Sequence, residues 1–282
     1  MSKIVACIDG SIYSESVTDY AAWAGRRLSA SIELLQVLGR REVSTSDLSG
    51  NISADAQQQL LMELAQLDAE RAKLLQKRGR MILDSSKARL ASAGLTDVTA
   101  HLRHGDLLEA LREREDGTDL FVVGKRGEAA DFASAHLGSN LERVVRSIHR
   151  PILVAARAFK PIAKALIAFD GGASVQKGID RLSRCPLLGG VDLHLVHVGN
   201  ESTDMRRQLE RAAAQLKGAG HSTVVRFVQG AADRAIADVV EAEGMNLLVM
   251  GAYGHSRIRN LIIGSTTTEM IRSCKVPVLL YR

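Results

Sequence analysis

Proline and cysteine are scarce, with four and three in 282 residues, and Phe, Tyr and Trp together supply only 4% of the chain. Each shortage excludes something. So little proline, with 46% hydrophobic side chains, rules out proline-rich, collagen-like and disordered classes. Cys7, Cys185 and Cys274 are far apart and form no CxxC pair, so neither a disulfide framework nor a zinc knuckle is indicated, and free, partly buried thiols are expected. Few aromatics leave little for stacking against unpaired bases, so no DNA partner is expected. No apolar run reaches the roughly 18 residues of a membrane helix, and no signal-peptide core follows the first residues, so the expectation is a cytoplasmic protein with no membrane partner. A P-loop motif is also missing, as are a Ser-His-Asp set, paired catalytic carboxylates and a metal cluster.

What is present is repetition. The run from Lys3 to Asp9 matches that from Lys164 to Asp170, 32–38 matches 191–198, and Asp119–Gly124 matches Asn246–Gly251. The segment from Gly138 to Val154 matches that from Gly264 to Leu280. Two copies of one unit follow, spanning 1–157 and 161–282, with a linker near Arg157–Pro161. The formal charge of +5 falls wholly in the second copy: residues 158–282 hold 16 Lys and Arg against 11 Asp and Glu, while residues 1–157 hold 21 of each. A surplus there suits an anionic ligand.

Within each copy, short apolar runs alternate with amphipathic stretches such as Ser14–Arg27, Asp106–Glu115 and Asp233–Glu243. Near-continuous apolar strands separated by helices imply an α/β fold: a five-stranded, parallel, doubly wound sheet in each copy, flanked by helices. Matching positions are offset by 161 up to Val37/Val198 and by about 126 from Gly105/Gly230, so copy one carries an insert within about 39–93. Leu60, Leu61, Leu64, Leu67, Leu74 and Leu75 recur in it at helical spacing. That helix either roofs its own domain or packs on a neighbour.

In such a sheet, ligands bind beyond the carboxyl ends of the strands, where the strand order reverses. In copy two the strand-ending residues are Asp170, Val198, Met250 and Gly251, followed by Gly254 and, nine residues later, Gly264, Ser265 and Thr266 at the start of a helix. Glycines admit close backbone approach, and free N–H groups, the helix dipole and hydroxyls together favour phosphate. This Gly251-x2-Gly254-x9-Gly264-Ser265 pattern, with Asp170, resembles the ATP-binding pattern of the universal stress protein family, and the two-copy layout is similar to its tandem members. The resemblance implies Rossmann-like, adenine nucleotide alpha hydrolase-like domains that bind ATP or a related adenine nucleotide, with or without Mg. Asp170 and Val198 would meet the adenosine, Met250 and Gly251 the base and sugar, and Gly254, Gly264, Ser265 and Thr266 the phosphates. The family also implies a role in stress response through nucleotide-dependent switching.

Copy one departs from this pattern. Ten residues, not nine, separate Gly127 from Gly138, and Asn140 replaces Thr266. A weaker second site is therefore expected from Asp9, Val37, Val123, Gly124, Gly127, Gly138, Ser139 and Asn140, with Lys125 and Arg126 available to neutralise phosphate. His194/His197 and His101/His104 are spaced so that each pair points to opposite faces of a strand, which excludes joint metal binding. No catalytic residue and no metal held by protein side chains is assigned; turnover, if any, would be a weak ATPase. The expected partners are the nucleotide, the two copies packed as an intramolecular pseudo-dimer, a homodimer as a further option, and an unidentified protein. The rival readings are an interaction module that binds no nucleotide, and a slow ATP hydrolase.

Overall fold

β-branched and leucine-rich runs separated by helices build ten strands. The structure is a computed structural model that describes residues 2–39, 54–125, 139–252 and 265–282. The first half comprises β1 (Lys3–Cys7), α1 (Ser14–Leu28), β2 (Ser31–Leu38), α2 (Ala54–Ser92), β3 (Val98–His104), α3 (Leu107–Glu115), β4 (Leu120–Gly124), α4 (Ser139–Ser147) and β5 (Ile152–Ala155). The second comprises β6 (Lys164–Ala168), α5 (Ala173–Leu182), a 3-10 turn at Pro186–Leu188, β7 (Asp192–Val198), α6 (Thr203–Gly218), β8 (Thr223–Val228), α7 (Ala232–Ala242), β9 (Leu247–Gly251), α8 (Ser265–Ser273) and β10 (Val278–Tyr281).

The strand order is β3-β2-β1-β4-β5-β10-β9-β6-β7-β8. Each half is parallel and doubly wound, as expected. The halves join into one sheet through an antiparallel pair that sets Val154 against Val278, Leu153 against Leu279 and Ile152 against Leu280. All eight residues of β5 and β10 are buried. Alone, either half would expose a short, wholly apolar edge strand, the kind that seeks a partner; each supplies the other's.

Alternation along the strands separates two cores. Ile4 and Ala6 face one side, with Val17, Tyr20, Leu83, Leu90, Ile179 and Leu209 from α1, α2, α5 and α6. Val5 faces the other, with Leu111, Val144, Ile236 and Met270 from α3, α4, α7 and α8. Across the seam Arg181 Nη2 donates to Asp119 Oδ1 at 3.0 Å, and Arg27 donates to the Gly189 carbonyl. The cysteines are free, with Cys7 and Cys185 half-buried and Cys274 buried. Burial pushes the Cys7 thiol up to about 12, which keeps it protonated and unreactive.

The insert is a single helix, α2, of 39 residues; its counterpart α6 has 16. Leu83 and Leu90 bury on the helix that packs against α1 and the sheet, as Leu209 and Leu216 do on α6, which packs against α5 and the sheet. The last third of the helix therefore roofs the first half, one of the two roles weighed from the sequence, and the remainder extends past it.

Candidate nucleotide site

The strand order reverses between β1 and β4 in the first half and between β6 and β9 in the second. At the second of these points Ala168 pairs with Met250, so the chain leaves β6 for Asp170 beside the strand that leaves β9 for Gly251. Phe169 N–H still donates to the Val196 carbonyl at 2.8 Å, and the backbone then turns sharply: Gly171 has φ +74°, and Asp170 Oδ1 accepts the Gly172 N–H at 2.8 Å. The left-handed φ of Gly171 favours glycine there, and a Cβ on Gly172 would lie 2.9 Å from that carboxylate oxygen and push it aside. The carboxylate is thereby folded over the first turn of α5, near the positive end of the helix dipole.

Copy one makes the same turn. Gly10 has φ +79°, and Asp9 Oδ1 accepts the Ser11 N–H at 2.9 Å and the Ser14 hydroxyl at 3.3 Å. The match between Asp9 and Asp170 read from the sequence is thus a match of loop geometry.

Val198, half-buried, closes β7 and pairs with Val228. Met250 is buried and Gly251 half-buried. Thr267, buried on α8, donates its hydroxyl to the Gly251 carbonyl at 3.2 Å, which ties the first turn of that helix to the end of β9. Thr266, half-buried, lies in the same turn. The fold therefore places Asp170, Met250, Gly251 and Thr266 around the reversal point, with Val198 on the adjoining strand. Gly254, Gly264 and the side chain of Ser265 lie outside the described residues.

In copy one, Val123 is buried and Val37 and Gly124 are half-buried at strand ends, while Asn140 is exposed in the first turn of α4. Gly127, Gly138, Arg126 and the side chain of Ser139 lie outside the described residues. Lys125 differs from the expectation of a phosphate partner. It is buried and donates to the Cys274 carbonyl at the end of α8, so its charge serves the seam. At the matching position copy two has Ala252, whose N–H donates to the Tyr281 carbonyl at 2.7 Å.

Two polar groups have roles that sequence reading missed. His197 Nδ1 lies 2.9 Å from the Phe169 carbonyl, which fixes the proton on that nitrogen and braces the turn that carries Asp170. Glu33, in the middle of β2, is buried and meets Lys3 at 2.6 Å, Arg114 at 2.5 Å and His101 at 2.8 Å. Burial alone would raise its pKa; the three cationic or donating neighbours outweigh that and hold it down at about 2. Its partners lie on β1, β3 and α3, so no local spacing announces them. The histidines discounted as metal ligands have other neighbours: His194 Nδ1 lies 3.0 Å from Glu243, and His104 lies 3.2 Å from Gln76. Among the described residues no group of three His, Cys, Asp or Glu could hold a metal.

A glycine-bearing strand end beside a helix start, present twice, can be set against known proteins. The family model described as the universal stress protein family matches residues 1–156 and 199–282. The chain belongs to the universal stress protein family. A universal stress protein of Synechocystis sp. is 38% identical over the whole of both chains. One from Mycobacterium bovis is 23% identical, covering 99% of this chain and 94% of its own. Among solved structures, a universal stress protein from Archaeoglobus fulgidus superposes with TM-score 0.70 at 19% identity, covering 99% of this chain and 98% of its own. That likeness is one of fold. The matched regions of this universal stress protein include the glycine-bearing segments of both copies and leave out 157–198, where Asp170 and Val198 stand.

Proposed function

We propose that this universal stress protein binds ATP or a related adenine nucleotide, chiefly in its second half, and acts in stress response by nucleotide-dependent switching. Residues 1–157 and 161–282 are taken as its two domains. The observation that carries the reading is the hydroxyl bond from Thr267 to Gly251, which holds the start of α8 over the crevice between β6 and β9. Free N–H groups and the Thr266 hydroxyl in that turn would receive phosphate oxygens. Asp170 and Val198 would meet the ribose and base, and the glycines at 251, 254 and 264 would let the backbone close on the phosphates. Mg would ride on the phosphates. The first copy, which spends Lys125 on the seam, would hold nucleotide more weakly.

Thermal melting of the full chain with and without MgATP tests this. At a hundredfold excess over Kd a ligand adds about 2.7 kcal/mol, a rise of roughly 5–10 °C for a protein of this size. Gly264→Val is expected to abolish the rise and Gly127→Val to leave most of it. An unchanged melting temperature with wild-type protein overturns the reading and leaves an interaction module. Steady turnover above an enzyme-free blank would favour the hydrolase.

A further inference from the structure

The extension of α2 presents an apolar stripe to solvent. Leu61 is 51% exposed, Leu64 43%, Leu67 60%, Leu74 67% and Leu75 40%. No such stretch exists in the second copy, where α6 is 16 residues long. The extension begins where β3 ends, since Gln76 Nε2 lies 3.2 Å from His104 at that strand's last residue. At 1.5 Å per residue, the turns before Gln76 reach roughly 30 Å beyond the domain. Among the described residues its leucines other than Leu60 stay exposed along this stretch, and the stability of such a helix in water depends on burying its apolar face.

Charge along the same stretch identifies what covers it. Glu63, Asp68 and Glu70 precede Ala72, with no Lys or Arg among residues 58–70; Arg71, Lys73, Lys77, Arg78 and Arg80 follow, with no acid before Asp84. The stretch is acidic at its outer end and basic at its inner end, so a second, antiparallel copy of itself is its electrostatic complement. A parallel copy would set like against like.

We propose that the full chain self-associates through this segment as an antiparallel two-helix pair whose two-fold axis passes near Ala69. With Leu60, Leu64, Leu67, Arg71 and Leu74 along the seam at coiled-coil spacing, that axis sets Leu64 against Leu74 of the other copy and Leu61 against Leu75, each twice. It also sets Glu63 against Lys77 twice and lays the stem of Arg71 over Leu67. Two like-charged meetings remain at the axis, Asp68 and Glu70 each with its own symmetry mate, and both lie within a turn of the two Arg71 guanidinium groups. Each contact occurs in both directions, as a closed two-fold interface requires.

Sedimentation equilibrium of the full chain across micromolar concentrations tests the proposal. Wild type is expected to be a dimer, and Leu64→Glu with Leu67→Glu is expected to raise the dimer Kd at least a hundredfold with an unchanged circular dichroism melt. Glu63→Lys alone should weaken the dimer about tenfold, and adding Lys77→Glu should restore it; this rescue cannot come from misfolding. Under mild oxidation, a mixture of Glu63→Cys and Lys77→Cys proteins should form the mixed disulfide, with little Glu63→Cys homodimer. A wild-type monomer, a dimer indifferent to the leucine substitutions, or Glu63→Cys cross-linking chiefly to itself would each overturn it.

Discussion

Replacing Glu33 by Gln isolates one buried charge cluster. The side chain is 4% exposed, and its carboxylate faces Lys3, Arg114 and His101. Its pKa falls from 4.5 in the unfolded chain to about 2 in the folded protein. At about 1.4 kcal/mol per tenfold change in proton affinity, that difference corresponds to roughly 3 kcal/mol of stability at neutral pH. The sign follows from the direction: a depressed pKa gives stability that is complete above about pH 4.5 and is lost as the pH falls through about 2. Urea denaturation of both proteins at pH 7, 5, 4 and 3 reads it. The wild type should exceed Glu33→Gln by roughly 3 kcal/mol at pH 7 and 5, and the gap should narrow steadily below pH 4.5. Other carboxylates titrate in both proteins and cancel in the difference. A gap that stays constant from pH 7 to pH 3 refutes the electrostatic account and assigns the loss to packing.

Two further substitutions probe the seam and the crevice. Gly178 lies within α5, and a Cβ there would come 2.8 Å from the ring of Tyr281, which is buried on β10. Gly178→Ala should therefore destabilise the protein by about 1–2 kcal/mol in urea despite the better helix former, and a gain in stability would show that the ring moves aside freely. Thr267→Val keeps the volume but removes the hydroxyl bond to Gly251, so it should reduce the MgATP-induced melting shift by at least half; an undiminished shift would separate the anchoring of α8 from nucleotide binding.

The elements were legible because they are local. A 3.6-residue rhythm of leucines places the insert helix near 53–93, and it runs from Ala54 to Ser92. The repeat places strands and their ends, because an apolar run closing on Asp or Gly has the same form in both copies. What the residues do not announce is pairing at a distance. β5 and β10 read as ordinary buried strands whether they face each other or separate partners, so their antiparallel ladder has no signature in either segment. Glu33 stands between Ile32 and Leu34 like any outward-facing strand residue, and its burial depends on Arg114, 81 positions away. Lys125 sits where a phosphate partner would, and only the packing of α8 across the seam gives it a carbonyl instead.

The antiparallel seam also constrains how two binding crevices could work together. Because β5 and β10 run in opposite directions, the carboxyl ends of β1, β2 and β4 point to one edge of the sheet and those of β6, β7 and β9 to the other. Strands of four to eight residues separate those edges by about 13–26 Å, so the described strand ends of one half stand at the far edge from the crevice of the other. Among the described residues, the contacts that join the halves are the β5–β10 ladder, the bonds from Arg181 to Asp119 and from Arg27 to Gly189, and Lys125, which follows the last residue of β4 and grips the end of α8. Closure from outside is a different matter. The α2 extension leaves the first half at the same edge as its crevice, where Ile82 packs on the Gly10 turn. A second copy paired along that extension, as proposed above, would arrive beside the weaker of the two proposed sites.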